Sequence, residues 1–284
     1  MDFHRPDTDL LVPDGLEPAA ALARTTHLCV GAHQDDQEFM AYEGIEACYE
    51  REDRWFTGVV VTDGGGSARS GPYAGHTDEQ MKAVRREEQR RAAALGKYGC
   101  QIQLGYPSRE VKDGADPRVV DDLERVFAAA RPHTVYLHNP ADKHDTHVAC
   151  CLRAIAALRR LPAADRPARV LGCEIWRDLD WLVDADKAVM EVGGRPELAA
   201  ALAATFDSQL CGGKRYDLAI RGRWRANATM FESHAVDHSE ALSWAIDLTP
   251  LVRDEQASVI EHTLAHLDRL RADLTERARR VGGA

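Results

Sequence analysis

Five short apolar runs dominate the first 180 residues: 27–32 (HLCVGA), 56–61 (FTGVVV), 100–105 (CQIQLG), 133–138 (HTVYLH) and 169–176 (RVLGCEIW). Between them lie segments with helical patterning at 38–51, 77–96, 116–130 and 146–161, the third opened by a proline just inside its start. Strands alternating with helices at this spacing predict an α/β fold, a mostly parallel sheet flanked by helices on both faces. In open sheets of this kind, functional loops gather beyond the carboxyl ends of the strands. The stretches HQDD, TDGGGS and NPADKHDTH follow the first, second and fourth strands, so topology predicts that they meet at one rim.

Past residue 180 the pattern loosens. Residues 196–209 read as helical, 215–231 as mixed and 240–247 as helical. The final segment spaces Ile260, Leu264, Leu267, Leu274, Ala278 and Val281 by three, four or seven, with Arg271 interrupting. That predicts a long amphipathic terminal helix, packed on its own domain or used as a subunit contact. The expected organisation is a core over 1–180 and a mixed segment over 181–284 that completes the same domain.

A formal net charge of −10 argues against nucleic acid or an anionic membrane as partner. No apolar stretch is long enough to span a bilayer. The acidic, proline-broken start does not read as a secretory signal, which makes the cytoplasm the expected location. Seven cysteines without a CxxC pair are expected to be reduced and mostly buried.

The chemistry concentrates in two clusters. His33 and Asp36, three apart at a strand-to-helix turn, can grip one ion, because imidazole nitrogen and carboxylate oxygen are both good zinc ligands. Asp35 then remains to move a proton. The alternative is a helix N-cap with acids complementing the macrodipole. In the second cluster, His144 or His147 can complete the metal set while the other stands beside it as an acid or oxyanion stabiliser.

The pair AHQDDQE and DKHDTH resembles the AHxDDxE and DxHxDH motifs of the PIG-L/LmbE-like N-deacetylase family. Weaker similarities are TDGG, RREEQRRAAALG (85–96), Ser208–Gln209 and MFESH (230–234), so the resemblance covers about residues 27–235. It implies a Rossmann-like fold and a zinc-dependent N-acetylglucosaminyl deacetylase, with ferrous iron as an alternative metal. His33, Asp36 and His147 become the metal ligands, Asp35 the general base, and His144 the imidazole that steadies the oxyanion or protonates the amine. Arg85, slightly preferred over Arg86, becomes the substrate contact. The sequence departs from the family at Gln34, where proline is usual, and at Asp145 and Thr146, where proline and aspartate are usual. Thr146 cannot supply the charge that steadies the catalytic imidazole, which leaves Asp142 or Asp145 as candidates.

The expected reaction releases acetate from an N-acetylated amino sugar or glycoside, a soluble saccharide being favoured over a lipid. Alternatives are an amidase for a larger acyl or thiol conjugate, and a non-catalytic sugar- or nucleotide-binding protein. Arg109, Asp63, Ser67 and Arg69 are further candidates for the mouth, and Trp176, Trp181, Trp224 and Trp244 for stacking on a sugar. A homo-oligomer is compatible with the terminal helix.

Overall fold

The computed structural model describes residues 1–211 and 213–283. Its strands are β1 (Asp9–Leu11), β2 (His27–Gly31), β3 (Phe56–Thr62), β4 (Cys100–Tyr106), β5 (Thr134–His138), β6 (Arg169–Cys173), β7 (Ala188–Glu191) and β8 (Leu242–Asp247). They form one sheet in the order β1-β4-β3-β2-β5-β6-β8-β7. The five central strands are parallel; β1, β8 and β7 are antiparallel additions at the two sides. Parallel strands covered on both faces must be apolar throughout, and FTGVVVT of β3 is buried at every position.

Helices cover the sheet: α1 (Pro18–Ala23), α2 (Asp36–Met40), α3 (Tyr42–Cys48), α4 (Asp78–Leu95), α5 (Ser108–Lys112), α6 (Arg118–Ala130) and α7 (Asp145–Arg160). The later part adds α8 (Pro196–Ala204), α9 (Asp207–Leu210), α10 (Tyr216–Met230), α11 (Thr249–Arg253) and α12 (Val259–Arg280). Two apolar cores result, one on each sheet face. One gathers α1, α6 and α7 with Trp244, the other α2, α3, α8 and α10 with Tyr136.

Three expectations need correction. Residues 242–247 are not helical: Leu242, Trp244 and Ile246 alternate with Ser243 and Ala245, and this strand pairs with both β6 and β7. Period-two alternation in β-prone residues outweighs the weak helical reading. The single helix expected over 38–51 is two, separated at Ala41, whose backbone leaves the helical region. Residues 216–230, read as mixed, are one helix, α10.

Strand order reverses at β2, which has β3 on one side and β5 on the other. Val30 of β2 stands beside Leu137 of β5, so the segments leaving these two strands emerge together. This is the switch point where open α/β sheets leave room for a ligand.

Candidate metal centre

The chain leaves β2 at Gly31, where an added Cβ would lie 3.2 Å from the Cβ of Asp36; the turn folds back that closely. Asp35 sits at the N-cap of α2 with φ +82°, a left-handed conformation that is costly for a residue bearing a Cβ. Asp36 begins the helix, and the His33 backbone N–H donates to its Oδ2 at 2.6 Å. From the second loop, His147 enters on the first turn of α7.

The geometry brings His33, Asp36 and His147 together. His33 Nδ1 is 3.2 Å from His147 Nε2 and 3.4 Å from Asp36 Oδ2, while His147 Nε2 is 3.5 Å from Asp36 Oδ1. Bonds of about 2.0–2.1 Å to a tetrahedral ion place ligand atoms roughly 3.3 Å apart, so these separations fit a shared cation. Asp142 Oδ2 faces Nδ1 of His147 at 3.4 Å, the carboxylate–imidazole pairing that directs the other ring nitrogen toward a metal. Burial pushes the His147 pKa down to about 4, which keeps the ring neutral and able to ligate.

His138 was not singled out from sequence. It ends β5 fully buried, stacks on His147 at 3.9 Å between ring centroids, and lies 3.2 Å from Asp36 Oδ2. Two triads therefore share His147: His33 with His144 on the open side, and Asp36 with His138 on the buried side. The Ala32 backbone N–H points at His138 Nε2 at 2.9 Å, so that lone pair is already engaged. The signal for His138 was its place at the end of the fourth apolar run, in the same stretch as His144 and His147.

Asp35 is buried beside the cluster. Arg85 from α4 donates to its Oδ2 at 2.9 Å, to the Gln34 carbonyl oxygen, and to Glu88 Oε2 at 3.0 Å. Glu88 in turn accepts from the Ser208 backbone N–H at 2.7 Å and its hydroxyl at 2.8 Å. Burial raises the Asp35 pKa to about 6, against the lowering pull of Arg85. Arg85 thus reaches the cavity wall already bound to Asp35, whereas Arg86 points away and donates to the Asp7 carbonyl oxygen.

His144 stacks on His147 at 4.4 Å and meets His33 edge-on at 5.1 Å. Neither aspartate replaces the missing carboxylate at its ring. Asp142 accepts from the His144 backbone N–H at 3.1 Å and otherwise faces His147, and Asp145 is exposed. His144 Nδ1 is buried without a partner, and burial, aided by His33, lowers the pKa of the ring.

A cavity of about 650 Å³ opens over the cluster. The loop after β3 supplies Gly64 and Ser67, and Phe39, Ile175, Trp176, Tyr216 and Ile220 make an apolar wall. Of the other mouth candidates, Asp63 is held by Lys82 and Arg69 by Gly65 and Asp78, while Arg109 does not line the cavity. Trp176 alone among the tryptophans lines it; Trp224 and Trp244 are core residues and Trp181 packs against the core. Six cysteines are buried and free; Cys211 is free and exposed.

Fold and site together define a Rossmann-like α/β protein with a histidine–carboxylate cluster at the switch point of its sheet. Residues 28–158 match the family described as PIG-L: GlcNAc-PI de-N-acetylase, so the likeness carried by the two motifs holds over that segment. No curated protein matches the sequence. Among solved structures, the fold is similar to GalB, the 4-carboxy-2-hydroxymuconate hydratase of Pseudomonas putida KT2440, with a TM-score of 0.61 at 17% identity, covering 79% of this chain and 96% of that one. It is also similar to N,N'-diacetylchitobiose deacetylase of Pyrococcus horikoshii, with a TM-score of 0.57 at 17% identity, covering 78% and 83%. A third is the A40926 pseudoaglycone deacetylase Dbv21, with a TM-score of 0.54 at 16% identity, covering 78% and 97%.

Proposed function

We propose that the protein is a metal-dependent hydrolase that removes the N-acetyl group from an amino sugar or glycoside, giving acetate and a free amine. The observation that carries this reading is the three-donor cluster with Asp35 beside it at the cavity wall. His33, Asp36 and His147 would hold the ion, zinc by preference and ferrous iron as the alternative. Such a cation, when bound, polarises an amide carbonyl and lowers the pKa of water toward about 7.

The chain's own groups would do the rest. Asp35 would accept a proton from the attacking water as the oxygen–carbon bond forms. A ring N–H of His144 would donate to the oxyanion that develops, and one such donor is often worth about 3–4 kcal/mol. Protonated Asp35 would then deliver its proton to the nitrogen as the carbon–nitrogen bond breaks. Arg85 would hold the Asp35 carboxylate in its strained position. Trp176 and Tyr216, whose rings meet edge-on at 6.0 Å, offer faces to a sugar ring.

Lys143, Lys214 and Arg223 also line the cavity, and among the described residues none has a carboxylate oxygen within ion-pair distance. In a chain of net charge −10, three cations without an ion-pair partner at one mouth, Lys214 over the Trp176 ring and Arg223 bonded to the Ile175 carbonyl oxygen, support a substrate bearing a carboxylate or phosphate. The apolar wall supports a second reading, an amidase for an acyl group larger than acetyl.

The test is acyl release from a panel of N-acylated saccharides, neutral and acidic, before and after chelation and zinc re-addition. Acetate release that stops with chelator and returns with zinc is expected. Release of longer acids alone selects the second reading. A similar fold also serves GalB, described as a hydratase, so intact amide after prolonged incubation of the zinc-loaded protein would overturn hydrolysis itself.

A further inference from the structure

Helix α12 carries two stripes. Thr263, His266 and Leu270 face the body, with His266 buried and its Nδ1 3.0 Å from Asp186 Oδ2. About 100° round the helix, positions 260, 264, 267, 271, 274, 278 and 281 alternate in steps of four and three, the a/d repeat of a two-helix seam. Ile260, Leu264, Leu267, Leu274 and Val281 of this second stripe are 42–81% exposed. Packing on the chain's own domain, one of the two expected uses of this helix, therefore leaves the seam uncovered.

The charges along the helix say what covers it. From Val259 to Asp268 the only formally charged side chains are Glu261 and Asp268; from Arg269 to Arg280 there are five arginines against Asp273 and Glu276. The helix is thus acidic in its first half and basic in its second. A second copy running antiparallel sets each acidic half against the other's basic half. Arg271 gives the same answer, because it is the one charged residue in the seam. A parallel pair would put two Arg271 side chains in one layer, and like charges there are unfavourable. In the antiparallel pair Arg271 of each copy lies opposite Leu267, Leu264 opposite Leu274, and Ile260 opposite Ala278. Its guanidinium, now 3.2 Å from Asp268 of its own helix, is also within reach of the facing copy's acidic half.

We propose that α12 is a homodimer seam, two copies pairing antiparallel through Ile260, Leu264, Leu267, Arg271, Leu274 and Ala278. The contact is isologous, with one patch meeting itself about a two-fold axis.

The test is the molar mass of the full chain by light scattering and sedimentation over a range of concentrations. A dimer is expected, and Leu267→Glu/Leu274→Glu should shift it to monomer with unchanged circular dichroism, since both positions are exposed. Orientation is read by disulfide trapping in a Cys211→Ser background: Leu264→Cys/Leu274→Cys should cross-link two copies readily, and Leu264→Cys alone poorly. A monomer at the highest soluble concentration would overturn the seam, as would a dimer that survives the double glutamate variant. Efficient cross-linking by Leu264→Cys alone would overturn the antiparallel arrangement. Binding of monomer to vesicles rich in phosphatidylserine, lost in the glutamate variant, would assign the stripe to an anionic surface instead.

Discussion

Asp35 and Asp36 are adjacent, yet the fold separates their surroundings. Asp36 faces three imidazoles, chiefly His147 and His138, which hold its pKa well below the usual carboxylate range against the cost of burial. Asp35 is raised to about 6 by burial and the neighbouring Asp36, which its one guanidinium, Arg85, only partly offsets. An ion-binding carboxylate and a proton-accepting one need such a difference. Asp35→Ala should therefore keep its metal, measured by elemental analysis, while turnover falls about 10²–10⁴-fold; turnover near that of the parent would remove Asp35 from the base role. His147→Ala should lose metal and activity together. The Arg85 contact with Asp35 makes a second prediction. Asp35 must be ionised to accept a proton, so kcat/KM should fall as pH drops through about 6. Removing the guanidinium raises the Asp35 pKa, so Arg85→Gln should move this acid limb to higher pH. A rise in KM with an unmoved limb would make Arg85 a substrate contact alone.

At the scale of elements, the first turn of α7 sets the state of His144. Thr146 is buried there and brings no carboxylate to the imidazole, and burial, aided by His33, outweighs the pull of Asp36 and Asp142 toward its charged form. Thr146→Asp should raise the pKa of His144 and move the basic limb of the rate profile to higher pH, with a gain in kcat if protonated His144 limits the reaction. An unshifted limb would show that the reaction does not depend on a charged His144. The five parallel strands were legible because each is a short run dominated by apolar residues, and helices α4 and α6 because a cap and a proline mark their starts. Thr77 and Gln80, for example, form a reciprocal capping box at the start of α4. The edge strands β1 and β7 are only three and four residues long, too short for a period to register. The strand β8 carries a period-two alternation that competes with a weak helical pattern, and its pairing with β6 and β7 decides between them.

For the whole molecule, a cation bound to the native cluster alone must stabilise the fold by mass action. Zinc at about a hundredfold excess over its Kd should add roughly 2.7 kcal/mol. Calorimetry should show Tm rising with zinc and falling with chelator, and His33→Ala should abolish the response. A zinc-independent Tm in the parent protein would count against the cluster as a resident metal site. Among the described residues no helix is long and apolar enough to cross a membrane.

The sequence by itself determined the α/β alternation, the two acidic–imidazole clusters and the heptad stripe of α12, because each is a local pattern of residue types or spacings. Tertiary structure alone decided that His138 stands behind Asp36, that Arg85 is bound by Asp35 and Glu88 and that the stripe is uncovered. It also decided that neither Asp142 nor Asp145 reaches the His144 ring. The His138–Asp36 and Arg85–Asp35 contacts join residues fifty to a hundred positions apart and leave no local trace in the chain, while the stripe and the His144 ring depend on which faces the packed elements bury.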